Sequence, residues 1–121
     1  MDSKDRGRVL SAIKRSFSRS MTAIAARNAA KCPRKKGPRG GARYRCKLCG
    51  KDYGVTDMNV DHIEPVVPIG TATKDMSWDD IVNRTYCDIE NLQFICEKCH
   101  KLKSKAEAKA RKEDRESKRE G

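Results

Sequence analysis

The chain has 121 residues, with 28 Lys and Arg against 17 Asp and Glu for a net charge of +11, 36% hydrophobic and 5% aromatic residues, and six cysteines. That is room for one small domain with extensions and too little apolar material for a large core, so bound metal or cross-links are expected to replace part of the burial. No stretch approaches the ~18 apolar residues of a membrane span, and charges interrupt the N-terminus every few residues; the expectation is a soluble, cytoplasmic protein whose cysteines are metal ligands or free thiols, not disulfides.

The charge is unevenly distributed. Residues 1–47 hold 15 Lys/Arg against 2 Asp/Glu, residues 48–100 hold 4 against 10, and residues 101–121 hold 9 against 5. Two basic flanks favour a polyanion, of which nucleic acid is the commonest, and an acidic centre near phosphates calls for a cation between them.

In chain order, Val9, Leu10, Ile13, Phe17, Met21 and Ile24 recur at threes and fours, the spacing of a helix over 5–31 capped by Asp5 or Ser3. Gly7 and the serines at 16, 18 and 20 argue against one unbroken helix. The segment 32–41, with Pro33, Pro38 and three glycines, reads as a basic linker that excludes helix and strand. Ala42–Tyr44 and Met58–Ile63 read as two short strands, with 51–57 turning the chain into a hairpin-like pair. Residues 66–75 are loop. Ser77 caps a short helix, with Asp80 three residues on. Asn91–Ile95 is a short apolar run, and from Glu97 nothing breaks a helix before Gly121. Pairs such as Glu107/Arg111 and Asp114/Lys118 support that helix, whose distal part is expected to be solvated or frayed.

Cys46-x-x-Cys49 and Cys96-x-x-Cys99 supply four thiolates, the number and softness that tetrahedral zinc requires. Gly50 suits the tight turn of a knuckle. Four ligands close the site, so this Zn²⁺ is structural, clamping the ends of the intervening 46 residues. Cys32 and Cys87 have no partner at knuckle spacing and are expected to be free thiols. The two histidines of the chain both fall in this unit: His62 closes a strand after Asp61, and His100 follows a zinc ligand. Lys103 and Ser104 share a helical face with His100.

Asp61-His62-Ile63, then Asn91-Leu92-Gln93, then Cys96-x-x-Cys99-His100 with Lys103, resembles the HNH endonucleases, most closely the small four-cysteine type of bacteriophages. The resemblance covers about residues 44–105. It implies a small α+β protein with a ββα-metal, treble-clef-like core around a four-cysteine zinc site and basic helical extensions: an arm and linker over 1–41, the nuclease domain over 42–105 and a charged helical tail over 106–121. It implies that His62 is the general base, that Asp61 and His100 hold a catalytic divalent cation (Mg²⁺, or Mn²⁺ or another transition metal), and that Asn91 holds the base-bearing strand. Lys103 adds a phosphate contact. The substrate implied is double-stranded DNA, bound by a monomer or weak homodimer, in a homing, packaging or other phage setting. Arg34, Lys35, Lys36, Arg39, Arg43 and Arg45, in the basic linker and the strand after it, are the expected phosphate contacts. Neighbours on a strand point to opposite faces, so Asp61-His62 is expected at a strand end or bulge. The competing reading is a non-catalytic zinc module that binds DNA or RNA, which leaves both histidines without a task.

Overall fold

The computed structural model describes residues 1–120, with the side chains of Arg34, Lys35 and Glu120 outside the description. Two of the expected phosphate contacts, Arg34 and Lys35, therefore lie outside the described residues. The N-terminal periodicity resolves into two helices, α1 (Ser3–Phe17) and α2 (Met21–Ala29). The cap of α1 is neither Asp5 nor Ser3 but Asp2, whose carboxylate accepts the Asp5 backbone N–H at 2.8 Å. The serine cluster breaks the helix as its composition suggests. Ser20 caps α2 by accepting from Ala23 N–H at 3.1 Å, a hydroxyl satisfying one of the orphan donors of a helix start.

The segment read as a structureless linker contains a strand, β1 (Lys31–Lys36), which pairs antiparallel with β2 (Ala42–Arg45). Two features admit strand here despite the prolines and glycines. The glycines make the turn: Gly37 N–H donates to Gly41 O at 2.8 Å, and Gly40 takes φ +79°, which glycine enters without strain. The register shifts between the Lys31↔Tyr44 and Lys36↔Ala42 pairs, and β1 lies at the sheet edge, where Pro33's missing N–H costs no ladder bond.

The expected hairpin between the strands at 42–44 and 58–63 does not form. The zinc-knuckle turn brings the chain back at once, with Cys46 N–H donating to Lys51 O at 2.8 Å, so β2 takes β3 (Asp52–Tyr53) as its second neighbour. β4 (Met58–His62) pairs instead with β5 (Leu92–Cys96), in register from Met58↔Cys96 to His62↔Leu92. All five residues of β5 are buried, which makes it the middle of the molecule. The excursion between β4 and β5 carries α3 (Trp78–Thr85), capped by Ser77 accepting from Asp80 N–H at 3.0 Å. α4 (Glu97–Glu120) leaves β5 directly, so β4, β5 and α4 form a ββα unit.

Apolar packing joins the N-terminal helices to that unit. Met58, Phe94, Ile95, Cys46 and Cys96 form one cluster, and Phe17, Ala23, Ala26 and Leu92 a second, so α1 and α2 close over the β4–β5 pair. Val66, Met76 and Ile81 form a third, with Leu10 and Ile13 of α1 against it.

The loop at 65–76 between β4 and α3 is held by cations. Arg84 donates to Pro65 O and Val66 O, Arg111 to Val67 O and Pro68 O, Lys118 to Gly70 O, and Arg6 to Thr73 O and Met76 O. Arg6 also lies over the Trp78 ring at 4.5 Å. The distal part of α4 is accordingly docked along this loop, not frayed. Asp114 pairs with Lys118 at 3.1 Å as its spacing predicts, but Glu107 pairs with Lys103 instead of Arg111, whose guanidinium is taken by the loop carbonyls.

Candidate metal centre and active site

The two knuckles converge. The Sγ atoms of Cys46, Cys49, Cys96 and Cys99 all lie within 4.8 Å of one another, the one group of three or more metal-ligating side chains so arranged among the described residues. The Cys-x-x-Cys spacing explains the local geometry: Cys46 Sγ accepts from Cys49 N–H at 3.5 Å and Cys96 Sγ from Cys99 N–H at 3.5 Å, with Gly50 at φ +77° completing the first turn. Cys96 N–H also donates to Cys46 Sγ at 3.3 Å, tying one knuckle to the other, and the Tyr53 hydroxyl donates to Cys49 Sγ at 3.6 Å.

These contacts polarise the thiols. Burial would raise the Cys46 and Cys96 pKa values, but backbone N–H donors and neighbouring groups outweigh it and bring both below the ordinary value. Cys49 is lowered by the Lys51 N–H and the Tyr53 hydroxyl. Cys99 is pushed up to about 12, first by its hydrogen bond with Cys96 and then by burial and the other two sulfurs. Four sulfurs this close do not all ionise without a cation among them, and soft thiolates at this spacing fit Zn²⁺. Cys32 and Cys87 are free thiols.

The ββα unit positions the second constellation. Cross-strand pairing sets Asp61 opposite Gln93, and α4 then brings His100 and Lys103 over the same face. Asp61 Oδ1 lies 3.9 Å from His100 Nε2, a separation that one cation spans, while Oδ2 accepts from Gln93 Nε2 at 2.9 Å and meets Lys103 Nζ at 3.2 Å. Asp61 is 11% exposed and His100 39%, so the pair opens to solvent on the His100 side.

His62 ends β4, with no bulge, and its ring turns to the other face. There Phe17 lies 5.0 Å away, centroid to centroid, and Nε2 is 2.8 Å from Thr85 O. A carbonyl only accepts, so Nε2 is the donor here, and Nδ1 has no partner among the described residues. Beside the ring is a cleft of about 470 Å³, lined by Lys14, Phe17, Arg27, Asn59, His62 and Thr85 among others. A larger cleft of about 880 Å³, between α2, the β1–β2 hairpin and β5, contains none of Asp61, His62 and His100.

Asn91 closes the end of the strand. Its Oδ1 accepts from Glu64 N–H at 2.9 Å, its Nδ2 donates to Glu64 O at 3.2 Å, and its carbonyl accepts from Ile63 N–H at 2.8 Å. It thus grips the two residues after His62 without touching the ring.

Lys103 is committed differently from a phosphate-binding lysine. Nζ donates to His62 O at 3.0 Å and is paired with both Asp61 and Glu107. Of the expected DNA contacts with described side chains, Lys36, Arg39 and Arg45 are exposed, whereas Arg43 is paired with Asp52 at 2.9 Å. The residues that sequence reasoning missed are Phe17, Thr85 and Glu107. The first two meet His62 only through tertiary packing and left no local signal. Glu107 had one, since Lys103 and Arg111 both stand four residues away, but spacing alone does not choose between them.

Among the described residues no helix is long and apolar enough to cross a membrane. No curated protein and no solved structure matches the chain. A family model described as HNH endonuclease matches residues 46–106, half of the chain, from the first zinc-knuckle cysteine to just past Lys103. The four converging cysteines, the ββα unit they clamp and this match have one explanation: the chain belongs to the HNH endonuclease family.

Proposed function

We propose that this protein is a metal-dependent endonuclease that hydrolyses phosphodiester bonds of double-stranded DNA, with His62 as general base. The observation that carries the proposal is the fixing of the His62 ring, whose Nε2 lies 2.8 Å from Thr85 O. With Nε2–H held by Thr85 O, Nδ1 would be the nitrogen that takes a proton from water. Phe17 and Thr85 hold the ring on the face of β4 away from Asp61 and His100, and Asn91 fixes the backbone just beyond it, so His62 and the cation site would meet one phosphate only across the end of β4. Asp61 and His100 would hold a divalent cation, Mg²⁺ or Mn²⁺, which supplies Lewis acidity at the phosphate and at the leaving oxygen. Lys14 and Arg27 in the cleft beside His62, with exposed Lys36, Arg39 and Arg45, offer positive charge to the DNA backbone.

The test is cleavage of supercoiled plasmid with Mg²⁺, Mn²⁺ or excess EDTA, alongside His62→Ala. Cleavage that requires metal and is lost in the variant, while zinc content and DNA affinity stay within about twofold, is the expected result. One such site hydrolyses one strand at a time, so nicked circles precede linear product. Salt-sensitive DNA binding with no cleavage under any metal would make the chain a non-catalytic zinc module. Full activity in His62→Ala would remove His62 from the role of base.

A further inference from the structure

The two oxygens of Asp61 have different neighbours. Its Oδ2 is occupied by Gln93 Nε2 at 2.9 Å and Lys103 Nζ at 3.2 Å, which leaves Oδ1 as the oxygen turned to His100. Lys103 is held in place by His62 O at 3.0 Å and by Glu107, and it is only 20% exposed. A fixed ammonium therefore touches the same carboxylate that is read above as a cation ligand. In this partly buried setting its charge repels a dication more strongly than it would in water. Glu107, one turn further along α4, offsets that charge from the far side.

We propose that the Lys103–Glu107 pair sets the divalent-cation affinity of the Asp61–His100 site, with Lys103 lowering it and Glu107 restoring it. The inference rests on the cation-site reading given under Proposed function. It makes Lys103 and Glu107 positioning residues: they hold Asp61 to one outward oxygen and fix the charge next to it. The two variants have opposite consequences. Removing the ammonium relieves the repulsion on an incoming dication, whereas neutralising Glu107 leaves the ammonium uncompensated.

The experiment is titration of the zinc-loaded full chain with Mn²⁺, read by calorimetry and by the electron paramagnetic resonance signal of free Mn²⁺, without DNA. Lys103→Met is expected to bind Mn²⁺ about tenfold more tightly and Glu107→Gln about fivefold more weakly, with Lys103→Arg returning to within about threefold of the parent. Zinc content and circular dichroism establish that each variant is folded; should Lys103→Met not fold, Lys103→Gln takes its place. Weaker or unchanged binding in the Lys103 variant overturns the proposal, as does a Glu107→Gln shift in the same direction as Lys103→Met. Asp61→Asn separates the two levels. If the parent does not bind Mn²⁺, or binds it as well without the Asp61 charge, the cation-site reading fails and this inference fails with it. If binding depends on Asp61 but not on Lys103, only the inference fails.

Discussion

Phe17 joins the N-terminal helices to the proposed general base, and replacing it tests that link. Its side chain is 4% exposed, in a cluster with Ala23, Ala26 and Leu92, and its ring meets His62 at 5.0 Å and Tyr86 edge-on at 5.4 Å. Phe17→Ala removes a fully buried ring and leaves a cavity bounded by β5 and two helices that cannot collapse freely, at a cost of about 3–5 kcal/mol. Phe17→Leu keeps most of the apolar volume and forfeits mainly the two ring contacts, each about 0.5–1.5 kcal/mol, so its cost should be about 1–3 kcal/mol. For 121 residues, a loss of 4 kcal/mol corresponds to a fall in melting temperature of about 15 °C. Urea and thermal unfolding of the zinc-loaded protein, followed by circular dichroism, measure both variants. An Ala variant within about 1 kcal/mol of the parent would refute the reasoning, because α1 would then not be docked on the β4–β5 unit in solution.

Two further outcomes follow from the metal centre and the ion pairs. The parent should carry one Zn²⁺ per chain, and stripping it, or Cys46→Ser, should unfold the knuckles. Structural zinc contributes on the order of 10 kcal/mol, comparable to a small domain's entire stability, so the metal-free chain should show no cooperative thermal transition above room temperature. Lys103 has a raised pKa: burial would lower it, but the hydrogen bonds and charges of Glu107 and Asp61 prevail. A raised lysine pKa contributes stability that is complete below the unfolded value of 10.5 and is lost as pH rises through the higher folded value. The urea stability difference between the parent and Lys103→Met should accordingly hold steady up to pH 10.5 and shrink above it; a difference that grew there would contradict the ion pairing.

What was legible in the sequence was chemistry that acts over a few residues. A Cys-x-x-Cys pair with Gly50 after it builds its own turn, and Ser77 with Asp80 builds its own cap, so both appear where their spacing predicts. The Pro- and Gly-rich segment misled because local preference excludes strand only when no partner is at hand. An edge position with a register shift and a glycine turn made β1 acceptable beside β2. The pairing of β4 with β5 was hidden by the residues between them, which local pattern cannot bridge. The two basic flanks were read as favouring a polyanion, yet Arg6, Arg111 and Lys118 of those flanks are held by backbone carbonyls. Charge is visible in a sequence; what holds it in place is not.

The cation-held loop also bears on where this protein could be divided. A polypeptide limited to residues 46–106, the span of the family match, would retain all four zinc ligands with Asp61, His62, Asn91 and His100. It would lose Phe17 from behind the His62 ring, and Arg6, Arg111 and Lys118 from the loop at 65–76, leaving carbonyls at 67, 68, 70, 73 and 76 without those donors. Apolar residues 66, 76, 92 and 94 would be uncovered at the same time. The stretch that the family model matches is therefore smaller than the stretch whose packing supports it, which draws on contacts from Arg6 in α1 to Lys118 in α4. Insertions or fusions that respect the motif but interrupt either flank would be felt around Asp61, His62 and His100 without touching one of them.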